Sequence, residues 1–180
     1  MDLILITLLN GLVVLALGVA FAWSNPRIVS LLTAFPRSRS ATLVVMGLAT
    51  VWFLFHVSRL GEADYGNYRH YIGLGFFALA ILAYFFTPDF LVIRGTCVLL
   101  LLTAKENLDA AYMEWEHPQR LFLVTFTYLV IFLALYLAVS PFRVRDFLNW
   151  AFDKSSRAQV FGAVLALIGA ALVGTAVSMV

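Results

Sequence analysis

Apolar residues gather into six long runs, at 3–23, 41–56, 71–86, 90–102, 121–139 and 160–180, and the short connections between them hold nearly all the charge. A hydrocarbon core about 30 Å thick takes about 20 helical residues to cross. Three runs reach or approach that length, and the other three reach it by taking in flanking polar residues. Continuous apolar stretches at 99–102 and 129–133 exclude the alternating pattern of a membrane β-barrel, the other spanning solution. The expectation is all-α: a polytopic integral membrane helical bundle of about six transmembrane helices, forming a single membrane domain over 1–180.

The connections add detail. Pro26 and Pro141 each follow an apolar run, where proline stops one helix and starts the next. Behind them, Ile28, Leu31, Leu32 and Phe35, and Val144, Phe147, Leu148 and Ala151, follow the i, i+3, i+4, i+7 spacing of a helix with one apolar stripe. With basic residues on the other face, these predict two short amphipathic helices on the inner membrane surface. Gly47 and Gly162 each lie twenty-one residues beyond their proline. The correspondence suggests a parallel repeat, 1–58 and 119–180, flanking a helical hairpin at 70–117, a plan used by transporters. The plainer alternative is that any polytopic protein needs proline stops and basic inner loops.

Charge then sets orientation. Arg27, Arg37 and Arg39 stand without acids in the first connection, and Arg143, Arg145, Lys154 and Arg157 outnumber Asp146 and Asp153 in the fifth. The third is a Thr87-Pro88-Asp89 turn with Arg94 just beyond, while the second and fourth are rich in acids. Cytoplasmic loops carry the excess of Lys and Arg, so both termini are expected outside, in a prokaryotic inner (plasma) membrane. Tyr65, Tyr68, Tyr71, Tyr112 and Trp115 then fall at the outer interface. The net charge of +2 and the absence of a basic run exclude a nucleic-acid partner. Cys97 is the single cysteine, so no intramolecular disulfide forms. Ala20-Phe21-Ala22 has the small-x-small look of a signal cleavage site, but the preceding stretch carries no Lys or Arg and is long, so a retained transmembrane helix is expected.

Candidate contacts and chemistry come last. Gly162, Ala166, Ala170 and Gly174 recur every four residues, a small-residue ridge for helix packing, and Gly11 and Gly18 offer a weaker groove. Arg94 leans back toward the inner surface and can snorkel, whereas Lys105, near the outer end of the same run, leans inward and calls for a partner. Asp109 lies one turn on. Lys105, Glu106, Asp109 and His56 therefore make a candidate polar cluster lining a path for an ion, proton or small solute, unless the helix leaves the bilayer near Thr103. His56 and His70 fall on one side of the membrane, where a pair of histidines could ligate haem. Glu114 and His117 form one Glu-x-x-His, half of a di-iron motif, which Pro118 interrupts. No HExxH, GxSxG, phosphate loop or dinucleotide-binding glycine pattern is present, so nothing points to an enzyme.

Three functions fit these residues. The leading expectation is a non-catalytic structural or accessory subunit of a larger membrane assembly, needing lipid and other membrane subunits or further copies of itself, and no cofactor. The second is a small transporter or channel using the Lys105 cluster. The third is a haem or metal protein using His56, His70, Glu114 and His117.

Overall fold

Helix boundaries follow the local chemistry closely in the computed structural model, which describes residues 2–87 and 89–179. Helix α1 spans Leu3–Trp23, with the Asp2 carboxylate accepting from the Ile4 amide. Asn25 caps α2, Pro26–Ala34, by accepting from the Arg27 amide, and Pro26 fills the first turn, where a missing N–H costs nothing. A 3-10 turn, Phe35–Arg37, leads to α3, Arg39–Ser58, which Ser38 caps through the Ala41 amide. Helices α4, Arg69–Phe86, α5, Leu91–Ala111, α6, Arg120–Val139, α7, Phe142–Asp153, and α8, Ser155–Val177, complete the chain. No strand occurs among the described residues. Pro88 of the expected turn, Met1 and Val180 lie outside them.

Among the described residues, five helices are long and apolar enough to cross a membrane: α1, α3, α4 with its preceding turn from Gly66, α6 and α8. The sixth expected crossing falls on α5, whose composition keeps it out of that set. That helix extends nine residues past the apolar run at 90–102 and so takes in Lys105, Glu106 and Asp109 in addition to Arg94. Its charges remove it from the apolar set, yet it stands at the centre of the bundle. Leu91, Val92, Ile93, Gly95, Cys97, Ala104, Asn107, Ala110 and Ala111 are all buried, while Arg94 and Lys105 are exposed. Small residues on the buried face let neighbours approach, and the charged face is left outside.

Helix α5 packs against α3 on one side and α6 on the other, and also touches α1. The most extensive contact pairs α1 with α8. Helix α4 packs on α3 at the edge of the bundle and contributes no buried residue. The connecting helices α2 and α7 touch one another. Two apolar clusters mark the two ends. Leu3, Ile6, Ala110, Leu123, Leu172 and Met179 meet at the end that holds both termini. Val92, Ile93, Cys97 and Ala134 meet at the other, with Phe35 and Val144 packed against them. We call these the terminal end and the basic end.

Glycine decides the α1–α8 seam. A Cβ at Gly11 would sit 2.9 Å from the Val173 Cγ2 atom and the Val173 amide nitrogen. One at Gly18 would run into the backbone of Ala166, one at Gly162 into that of Ala22, and one at Gly169 into that of Leu15. The expected ridge therefore splits. Gly162 and Ala166 lie in the seam, whereas Ala170 is exposed and Gly174 faces open space, and Gly169 takes their place.

Candidate functional site

The terminal half of the bundle contains a polar network that joins three helices. Asn10 of α1 donates through Nδ2 to Asn107 Oδ1 of α5 at 2.9 Å and to the Ile6 carbonyl at 2.9 Å. Asn107 returns the bond to Asn10 Oδ1 at 3.3 Å and gives its other proton to the Thr127 hydroxyl of α6 at 3.2 Å. Thr127 passes its own proton to the Leu123 carbonyl at 2.8 Å. Each carboxamide has two N–H donors, and here all four are used. Asn107 is 4% exposed and Thr127 fully buried, while Asn10 is half-buried at the edge of the network. With 1.5 Å of rise per residue, Asn10 and Thr127 lie about 10 Å from the ends of their helices, within the hydrocarbon depth of a membrane. An unpaired carboxamide there is costly, so the network ties α1, α5 and α6 in one register.

The candidate cluster is assembled from α3 and α5. Lys105 pairs with Asp109 one turn on, as the spacing predicts, but both side chains are more than half exposed. No ion pair joins Lys105 to Glu62 or Asp64 among the described residues. His56 turns toward α5, with Nε2 3.4 Å from Glu106 Oε1, close enough for an ion pair if the ring is protonated. The two are not aligned for a hydrogen bond, so Nε2 has no partner although the atom is buried. Trp52 stacks on the imidazole at 6.4 Å between ring centroids and Phe55 meets it edge-on at 6.1 Å, so aromatic neighbours hold the ring on the α5 side of α3.

The remaining candidates stand apart. His70 lines an open cavity between α3 and α4 with Leu54, Val57 and Arg69, and His56 is not part of it. Glu114 and Glu116 are exposed in the loop after α5, with His117 half-buried beside them. Arg120 organises that loop by donating to the Ala111 carbonyl at 2.9 Å, over the end of α5, while its guanidinium covers the Trp115 ring at 4.3 Å. No group of three or more His, Cys, Asp or Glu side chains suited to a metal ion occurs among the described residues.

Residue-level reading found Lys105, Asp109, Glu106 and His56 but passed over Asn10, Asn107 and Thr127. A lone Asn inside an apolar run is itself a signal, because polar side chains in membrane helices seek partners on other helices. Compared with protein-family models, curated proteins and solved structures, the chain matches none.

Proposed function

We propose that this chain is a six-crossing integral membrane protein, with both termini outside, serving as a non-catalytic structural or accessory subunit of a larger membrane assembly. The observation that carries the subunit role is α4. It is long and apolar but contributes no buried residue, and it rests on α3 alone for most of its support. Its outer face carries Tyr71, Gly75, Leu79, Leu82 and Phe86 at i+4 and i+3 steps, with nothing within 4 Å of the Cβ position of Gly75. Lipid gives apolar side chains no reason to associate, so close backbone approach at small residues is what a partner helix gains in a membrane. This face offers it.

Helix α5 counts as the sixth crossing in this reading. Its 21 residues span the same length as its neighbours, with Arg94 near one end and the Lys105–Asp109 pair near the other. The basic end, with α2 and α7, is cytoplasmic by the positive-inside rule, and those two helices lie along that surface. Helix, short helix, helix occurs twice in the chain order, which supports the parallel repeat.

Native mass spectrometry after gentle extraction tests the subunit role: a heteromeric mass is expected, and a lone monomer overturns it. A photo-crosslinking residue at Leu82 should capture the partner, while one at Leu167, still more exposed on α8, should not. The approach of His56 to Glu106 across two helices favours a second reading, a proton or ion path beside Lys105. Proteoliposomes with an internal pH dye test it: a proton flux lost in Glu106→Gln supports the path, and no flux above protein-free vesicles removes it.

A further inference from the structure

We propose that the seam between α3 and α4 binds one anionic phospholipid, with the phosphate held by Arg37 and Arg39 at the basic end and an acyl chain laid along the seam. The inference rests on the membrane placement proposed above but not on the subunit role.

The site begins as a cavity of about 530 Å³ whose walls include Arg37, Arg39, Thr42, Tyr84 and Asp89. It does not end there. A second cavity, of about 280 Å³, shares Tyr84 and Phe85 with the first and continues along the seam past Met46, Gly47, Val51 and Phe77. Its lining is almost wholly apolar, and nothing stands within 4 Å of the Cβ position of Gly47, which keeps the path open. From Arg39 to Val51 the helix rises about 18 Å. One leaflet of hydrocarbon is about 15 Å deep. A chamber with charged walls at the interface and an apolar channel that runs about 12 Å along α3 from Leu43 to Val51 together span about one leaflet, the shape of a headgroup with the upper part of an acyl chain.

Charge selects the class. Among the described residues Arg37 and Arg39, like most of the basic side chains, have no carboxylate within 4 Å, and they are the two that line this cavity. Arg37 faces the Phe90 ring of the chamber wall at 6.0 Å. Basic pockets between membrane helices on the cytoplasmic side suit anionic headgroups. Asp89 sharpens the choice. Its carboxylate opposes a doubly charged phosphate monoester but accepts hydrogen bonds from hydroxyls. The lipid is therefore a phosphodiester with a hydroxyl-bearing headgroup, of the phosphatidylglycerol type.

Native mass spectrometry of the full chain, delipidated and then titrated with phosphatidylglycerol or phosphatidylcholine of identical acyl chains, tests this. One phosphatidylglycerol should be retained per chain, in preference to phosphatidylcholine by about thirtyfold, the factor two basic residues near an anionic headgroup supply together. The double variant Arg37→Ala/Arg39→Ala, both sites being exposed, should keep the wild-type melting temperature and lose the preference. Gly47→Phe, which blocks the channel without touching charge, should weaken retention of both lipids, and Asp89→Asn should raise retention of phosphatidic acid. Equal retention of the two lipids, or a preference unchanged in the double arginine variant, overturns the proposal. Displacement by millimolar glycerol phosphate would reassign the site to a soluble anion and also overturns it. Release of the protein from membranes by alkaline carbonate would instead overturn the membrane placement.

Discussion

Replacing Asn107 with alanine removes three hydrogen bonds at once: two shared with Asn10 and one to Thr127. Side-chain hydrogen bonds between membrane helices average about 0.6 kcal/mol each. Three of them give about 2 kcal/mol, and the volume lost at a site only 4% exposed adds to that figure. A double-mutant cycle with Asn10→Ala isolates the part shared by the pair. Only two of the three bonds join Asn10 to Asn107, so the expected coupling is about 1 kcal/mol. The Thr127 bond should cancel from the cycle, because it is lost with Asn107 whether or not Asn10 is present. Reversible unfolding in mixed micelles, followed by circular dichroism, measures all four corners. Additive single variants, with coupling under about 0.3 kcal/mol, would show that the two carboxamides do not hold α1 to α5.

Other outcomes follow from the same geometry. Gly162→Leu should destabilise the bundle by about 1–3 kcal/mol or prevent its assembly, because a Cβ there already meets the backbone of Ala22. Gly174→Leu, facing open space on the same helix, should melt like the wild type, and equal damage from the two would refute the seam. Lys105→Met should shift detergent stability by less than about 1 kcal/mol, as its pair with Asp109 is exposed; a clear loss in the same melting assay would place the ammonium inside the bundle. Arg120→Ala should free the loop after α5 by removing its bond to the Ala111 carbonyl and its cover over Trp115, read as faster proteolysis between Tyr112 and Gln119 with α5 intact.

The apolar runs made most of the helices legible, because a membrane helix must satisfy its backbone internally and its side chains therefore announce the solvent. Pro26 and Pro141 marked the starts of the short helices for a local reason that tertiary contacts do not override. The far end of α5 was harder. Lys105, Glu106 and Asp109 break the hydropathy of the run, yet Lys105 and Asp109 sit on an exposed face and half-buried Glu106 turns to His56, while Ala104, Asn107 and Ala111 turn inward. The ridge on α8 is divided between the seam and the outside for a geometric reason. Each step of four residues turns about 40° past a full turn, so Gly162, Ala166, Ala170 and Gly174 together sweep about 120° around the helix. A long pairing with one straight neighbour needs steps of seven, as Gly162–Gly169 and Gly11–Gly18 provide. The Asn10–Asn107 pair was invisible for another reason: its members lie 97 residues apart, and no spacing links them.

The pairing of α1 with α8 also bears on how the protein is made. About 130 residues of chain separate the end of α1 from the start of α8, and a ribosome adds roughly 5–20 residues per second. For some 7–26 seconds, then, α1 waits in the bilayer with its glycine groove uncovered and Asn10 lacking the carboxamide that α5 brings later. During that interval a neighbouring α1 from another nascent chain is a competing partner of the same shape. Slowing translation lengthens that interval and should raise misassembled dimers.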